Sequence, residues 1–258
     1  MVAAEALGSC TYIASDKTGT LTMNELTVRR LVFPEQEPWE VTGEGRLPEG
    51  HILTPDGAPT PQTQALLERL AAAVVLCNEA WLAHRDGAWV HDGDAVDVAL
   101  LVMAYKAGVP QAEALNTFPL LAQMPFESER QFAATLHQGD GRSMVFVKGA
   151  LERLLPMCTQ MATPQGDDPL HAGVVEQQAL ALAAGSLPFN PDGEFSEQHL
   201  QDLTLLGLVA MLDPLRPEAK AAVVACRHAG LSVAMVTGDH PLTALAHRTR
   251  PRSGREPR

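Results

Sequence analysis

Positive charge is scarce in this sequence: 258 residues carry 19 Lys and Arg against 31 Asp and Glu, a net charge of −12. A balance this acidic argues against a general nucleic-acid or anionic-membrane binder, so a phosphate ligand would need local help from backbone amides, a lysine or a metal. Cysteines are few. The four, Cys10, Cys77, Cys158 and Cys226, show neither CxxC spacing nor the density of a disulfide scaffold, and reduced thiols in a cytosolic compartment are the expectation. Long hydrophobic runs are missing as well: the best uncharged stretch, "LTLLGLVAML", falls far short of the roughly 18 residues that a membrane-spanning helix needs, so no membrane insertion by this chain is expected. The opening "MVAAEALGSC" lacks a basic region and contains Glu5, which does not suit a secretory signal.

What is present is an ordinary apolar share, 46%, over a length that allows one large or two normal domains. "CTYIASD" has the β-branched and aromatic content of a short buried strand that Gly19 ends, which puts Asp16 at the strand's carboxyl end. Residues 33 to 62 are dense in Pro and Gly and read as the entry to an inserted domain. Helical spacing runs from Thr63 to Trp81 and through "VDVALLVMAYKAG", with Gly108 as a stop and the carboxylate-rich turn "HDGDAVD" between. "QFAATLH" and "SMVFVKG" read as a β-hairpin. A short helix follows at Leu151 to Cys158, and residues 172 to 184 read as another. Strand "LTLLGLVAML", helix 217 to 229 and strand "LSVAMV" form a βαβ pattern, which favours a parallel sheet. The composition breaks at Arg248, where five Arg in the last eleven residues read as a disordered tail.

A carboxylate at a strand's carboxyl end can attack a phosphoryl group and split a difficult transfer into two easier ones. Such an attack on a polyanion needs its charge offset, and Lys17 with the polar turn Thr18 to Thr20 supplies part of that. Position 18 holds Thr, not a second carboxylate, so a phosphoenzyme here would lack a general base and be long-lived.

"SDKTGTLT", "KGA", "DPLRPE" and "TGD", in this order and at these separations, resemble the cytoplasmic part of a P-type cation-transporting ATPase. "VTGEGRLPEG", "GDAVDVALL" and "MPFESERQF" are most similar to its type II, calcium-pump-like subfamily, and the match runs from about Ala6 to Ala246. The resemblance implies an α/β chain in which a Rossmann-like phosphorylation domain of the haloacid dehalogenase superfamily (1–29 and 204–247) is split by an α+β nucleotide-binding domain (30–203), ahead of the tail 248–258. It implies ATP and Mg²⁺ as cofactors, with Asp16 as the phosphorylated nucleophile beside Lys17 and the Thr18 backbone helping Asp16 to hold Mg²⁺. Thr237 and Gly238 would contact the phosphoryl oxygens, with Asp239 nearby. Asp213 and Arg216 would lie at the hinge near ribose and phosphates, or else form an ordinary cap and ion pair.

In the inserted domain the resemblance makes Phe126 the aromatic that stacks on adenine, with Lys148 and Gly149 in the same pocket. Asp97 stands where the family usually has Glu. Arg130 would serve the phosphates or pair with Glu127. Gln131 replaces a common Lys, and "EQQALALAAG" lacks an expected Arg. The family's later Lys, its "GDGxND" segment and its membrane and actuator domains have no counterpart here, so this part alone is expected not to sustain turnover. The implied partners are ATP or ADP and those domains of a parent pump, with no nucleic acid. The implied place is the cytoplasmic side of a pump in the cell membrane. The alternatives are a nucleotide-binding remnant without turnover and a soluble haloacid dehalogenase-type phosphatase.

Overall fold

The computed structural model describes residues 10–23, 25–43, 45–57, 59–139, 141–171, 179–188 and 194–236, and the chain divides into two compact units, 1–24 with 213–258 and 25–212. The smaller unit begins with β1 (Tyr12–Asp16), which runs into a single π-helical turn, Lys17–Leu21. The larger unit then builds β2 (Thr27–Val32), β3 (Trp39–Val41), β4 (Ile52–Leu53), helix α1 (Pro61–Leu76), the hairpin β5 (Trp81–Arg85) and β6 (Ala88–Asp92), and helices α2 (Ala95–Lys106) and α3 (Gln111–Thr117). It continues with β7 (Leu120–Glu127), β8 (Phe132–Gln138), β9 (Arg142–Ala150), a helical turn α4 (Leu151–Leu154), β10 (Cys158–Thr163), β11 (Gly166–Pro169), β12 (Leu180–Pro188) and β13 (Leu203–Leu212). The smaller unit resumes with α5 (Ala219–His228) and β14 (Ser232–Val236).

A ten-stranded mixed sheet organises the larger unit, with the path β4-β3-β2-β13-β12-β9-β8-β7 and the β10–β11 pair joined to it through β13. Strand alternation sends neighbouring side chains to opposite faces, so the sheet separates two cores. Ala133 of β8 and Phe146 of β9 pack with α1 and α2 on one side, whereas Ala134, Val145 and Val147 pack with Leu151, Leu154 and Met161 on the other. The whole is a sheet-rich α/β chain.

Local signals explain the helices. Thr60 and Thr63 exchange the two bonds of a capping box around Pro61, satisfying amide groups that the start of α1 leaves without carbonyl partners. Asp94 caps α2 by accepting from the Val96 amide at 2.8 Å. α2 buries every residue from Asp97 to Ala104, which its all-round apolar sequence requires.

Three sequence expectations need correction. Residues 180–184 are not helical but lie in β12, paired with both β9 and β13; a short apolar run without a polar face fits a two-sided buried strand as well as a helix. Helix α1 stops at Leu76, not Trp81, because Asn78 turns the chain by accepting the Ala80 amide on its own side chain at 2.9 Å. The βαβ reading of 204 to 236 also fails. β13 lies antiparallel between β2 and β12 in the large sheet, while β14 pairs in parallel with β1. Both strands of the supposed unit are parallel-sheet-like in composition, and composition does not name a partner.

Candidate functional site

In the smaller unit, Asp16 ends β1 and is in register with Val236, the last residue of β14, so the carboxyl ends of two parallel strands coincide. Asp16 is exposed. Gly19 takes φ 75° in the turn that follows, a conformation glycine adopts without a Cβ penalty. The turn is clamped from the "DPLR" segment: the Thr22 hydroxyl accepts the Gly19 amide at 3.1 Å and donates to the Asp213 carboxylate at 2.5 Å. Arg216 donates from its guanidinium to the Gly19 carbonyl at 3.0 Å and from its amide to the Leu21 carbonyl at 2.9 Å. Asp213 and Arg216 therefore shape the loop behind Asp16. Thr237, Gly238 and Asp239 lie outside the described residues, as do the side chains of Lys17 and Thr18.

Thr22 and Asp213 are both buried, so their bond is shielded from water. Thr22→Val keeps the volume and removes the hydroxyl. The expected result is a loss of about 1–3 kcal/mol in local stability, read as faster hydrogen exchange at the Gly19 amide.

The larger unit carries a concavity of about 410 Å³ lined by Phe126, Ser128, Gln131, Gly149, Ala150 and Leu180. Phe126, at the end of edge strand β7, is 55% exposed and offers a flat aromatic face. Gly149 has a packing reason to be glycine: a Cβ there would stand 2.5 Å from the Gln131 carbonyl oxygen and 2.5 Å from the Phe132 Cβ. Strands β8 and β9 approach closely at this point, where Phe132 pairs with Gly149.

Lys148 and Asp97 are placed differently from Phe126 and Gly149. Lys148 is 5% exposed, and its ammonium donates to the carboxylate of Asp97, a residue 6% exposed. The other Asp97 oxygen accepts the Glu79 amide at 2.9 Å. A buried charge pair needs this kind of additional satisfaction to be tolerated. Lys148 alternates with Val147 along β9 and faces the helical side of the sheet, beside Cys77. Burial pushes that thiol up to about 11, which makes Cys77 a packing group and not a nucleophile. Arg130 donates to the Pro125 carbonyl at 2.9 Å and pairs with Glu127 at 3.0 Å.

Glu79 was missed in the sequence. Its carboxylate accepts the Phe126 amide at 3.3 Å, linking the end of α1 to the aromatic edge of the concavity. The signal that could have exposed it is Asn78, a turn former that takes the residues after it out of the helix.

Among the described residues no helix is long and apolar enough to cross a membrane, and no three His, Cys, Asp or Glu side chains cluster as a metal site.

Comparison with known proteins agrees in kind. The chain is 40% identical to the cation-transporting ATPase pma1 of Synechocystis sp., covering 95% of this chain and 28% of that relative. It is 39% identical to the probable cation-transporting ATPase F of Mycobacterium tuberculosis, over 95% and 28%. It is 31% identical to the calcium-transporting ATPase of Bacillus subtilis, over 95% and 29%. The chain thus spans less than a third of the length of these relatives. The family model for P-type ATPase, cytoplasmic domain N, matches residues 66–218, a stretch that contains α2, the concavity and both partners of the Lys148–Asp97 pair. With more than half of its residues inside that match, this chain belongs to the P-type ATPase cytoplasmic domain N family.

Proposed function

We propose that the larger unit binds ATP or ADP in the concavity between Phe126 and Gly149, and that the smaller unit is the phosphorylation domain, of haloacid dehalogenase type, with Asp16 as its nucleophile. The observation that carries this reading is the exposed Phe126 ring at the rim of a concavity inside the matched family region. The adenine would stack on that ring. Gly149 keeps β8 and β9 close beside the concavity, and the Lys148–Asp97 pair holds the wall from behind. Because Asp97 offsets the Lys148 charge, this pocket offers the triphosphate little net attraction. Affinity in the high micromolar to millimolar range, about 4–6 kcal/mol, is the consequence.

At Asp16, a carboxylate oxygen attacks the γ-phosphorus of ATP, the bond to the β-phosphate oxygen breaks, and ADP leaves with that electron pair. In this reading Lys17 would offset phosphate charge, and Thr237, Gly238 and Asp239, which follow β14 in sequence, would contact the phosphoryl oxygens. Asp213 and Arg216 act by holding the Gly19 turn. The Asp16 carboxylate and the Thr18 main-chain carbonyl are hard oxygen donors of the kind Mg²⁺ takes, with phosphate oxygens and water left to complete its shell. Bound there, Mg²⁺ would neutralise phosphate charge. In the whole protein, as the names of the relatives suggest, this chemistry would drive cation transport across the cell membrane, with the present chain on the cytoplasmic side.

The test is calorimetric titration of the full chain with ATP. Phe126→Ala should weaken binding by about 1 kcal/mol, roughly fivefold, in keeping with a lost aromatic stack. Equal affinity of wild type and variant would remove Phe126 from the site.

A further inference from the structure

The β7–β8 ladder shifts register between Met124 and Glu127, which takes the peptide group joining Pro125 to Phe126 out of the regular pairing. Side chains grip that peptide instead. Its carbonyl accepts the Arg130 guanidinium at 2.9 Å, and its N–H donates to the Glu79 carboxylate at 3.3 Å. Both grips are anchored. Arg130 is held by Glu127 at 3.0 Å, and the Glu79 amide is fixed on the buried Asp97 carboxylate, whose other oxygen takes Lys148.

Phe126 has little packing of its own to fix it, being more than half exposed. Orientation of the preceding peptide plane fixes the N–Cα axis of Phe126, which limits where its Cα–Cβ bond, and with it the ring, can stand. An exposed N–H can bond to water at little cost, so the Glu79 contact contributes little to folding. Its effect is directional. We propose that Glu79 is a positioning residue for the aromatic wall of the nucleotide pocket, acting with Arg130 by holding the Pro125–Phe126 peptide group between them. This rests on the pocket reading above and adds to it a device connecting the buried Lys148–Asp97 pair to the ring.

The experiment uses the full chain, ¹⁵N-labelled, with ATP as the probe. Glu79→Ala should raise the Kd roughly three- to tenfold, while Glu79→Gln, whose amide oxygen still accepts, stays within about twofold of wild type. In a Phe126→Ala background the Glu79→Ala loss should vanish, since no ring remains to be aimed. Without nucleotide, the Phe126 amide resonance should move in Glu79→Ala and hold in Glu79→Gln. If Glu79→Ala loses the folded spectrum, Arg130→Gln supplies the same cycle from the carbonyl side of the peptide. Wild-type affinity in Glu79→Ala, or a loss that persists without Phe126, overturns the positioning role. Failure of the wild type to bind ATP overturns the pocket reading instead, and the Phe126 amide shift still reports whether the grip exists.

Discussion

Asp97→Ala is expected to cost the larger unit about 3–5 kcal/mol of unfolding free energy, because it leaves the Lys148 ammonium buried without its counter-charge. Both groups are under a tenth exposed, so water cannot take over the missing partner. The same substitution removes the acceptor of the Glu79 amide, which loosens the segment after α1. Lys148→Met in addition should restore part of the loss, since no charge is then left buried without a partner. Trp39, Trp81 and Trp89 all lie in this unit, so urea unfolding followed by tryptophan fluorescence reads the effect. A loss below about 1 kcal/mol for the single variant would mean that the pair is solvated in solution.

Gly149→Ala comes next in size. A methyl group there meets atoms at the start of β8 and of the residue before it at distances no Cβ tolerates, 2.5 Å to the Gln131 carbonyl and 2.7 Å to the Phe132 Cα. These are main-chain neighbours in a paired strand, so relief requires the strands to part. Overpacking of this kind costs about 1–3 kcal/mol. Gln131 also sits at φ 62° and lines the concavity with Gly149, so displacing it reshapes the pocket. Reduced stability together with weaker ATP binding is the expected result. Unchanged stability would show that β8 and β9 lie farther apart than described.

Much of the larger unit was legible because its elements announce themselves locally. The "QFAATLH" and "SMVFVKG" hairpin and the α2 helix ahead of Gly108 are present as expected; in the smaller unit the strand ending at Asp16 is present too, but none of its residues is buried as its composition had suggested. What failed was partner choice. β13 and β14 look alike in sequence, but one joins the ten-stranded sheet and the other pairs with β1, a distinction made by contacts between residues far apart in the chain. β12 was misread for a related reason: "ALALAA" has no polar face to betray its period.

The site divides along the same line. Phe126 and Gly149 line one concavity, and the sequence pointed to them only through the family resemblance of "PFESER" and "KGA". The pairing of Lys148 with Asp97 across 51 positions was not readable, since the sequence carries each charge without its depth. Nor was the Glu79 contact to the Phe126 amide, which depends on where α1 ends and where β7 bulges.

A nucleotide held in the concavity at Phe126 and Gly149 must perturb the amides that line it. Titrating the ¹⁵N-labelled full chain with ATP and mapping the perturbed amides tests it most directly. Saturable shifts, in the high micromolar to millimolar range, are expected at Phe126, Ser128, Gln131, Gly149 and Ala150, with the β5–β6 hairpin unaffected. Absence of shifts at those five amides in several millimolar ATP, or saturable shifts confined to another part of the chain, would contradict that assignment.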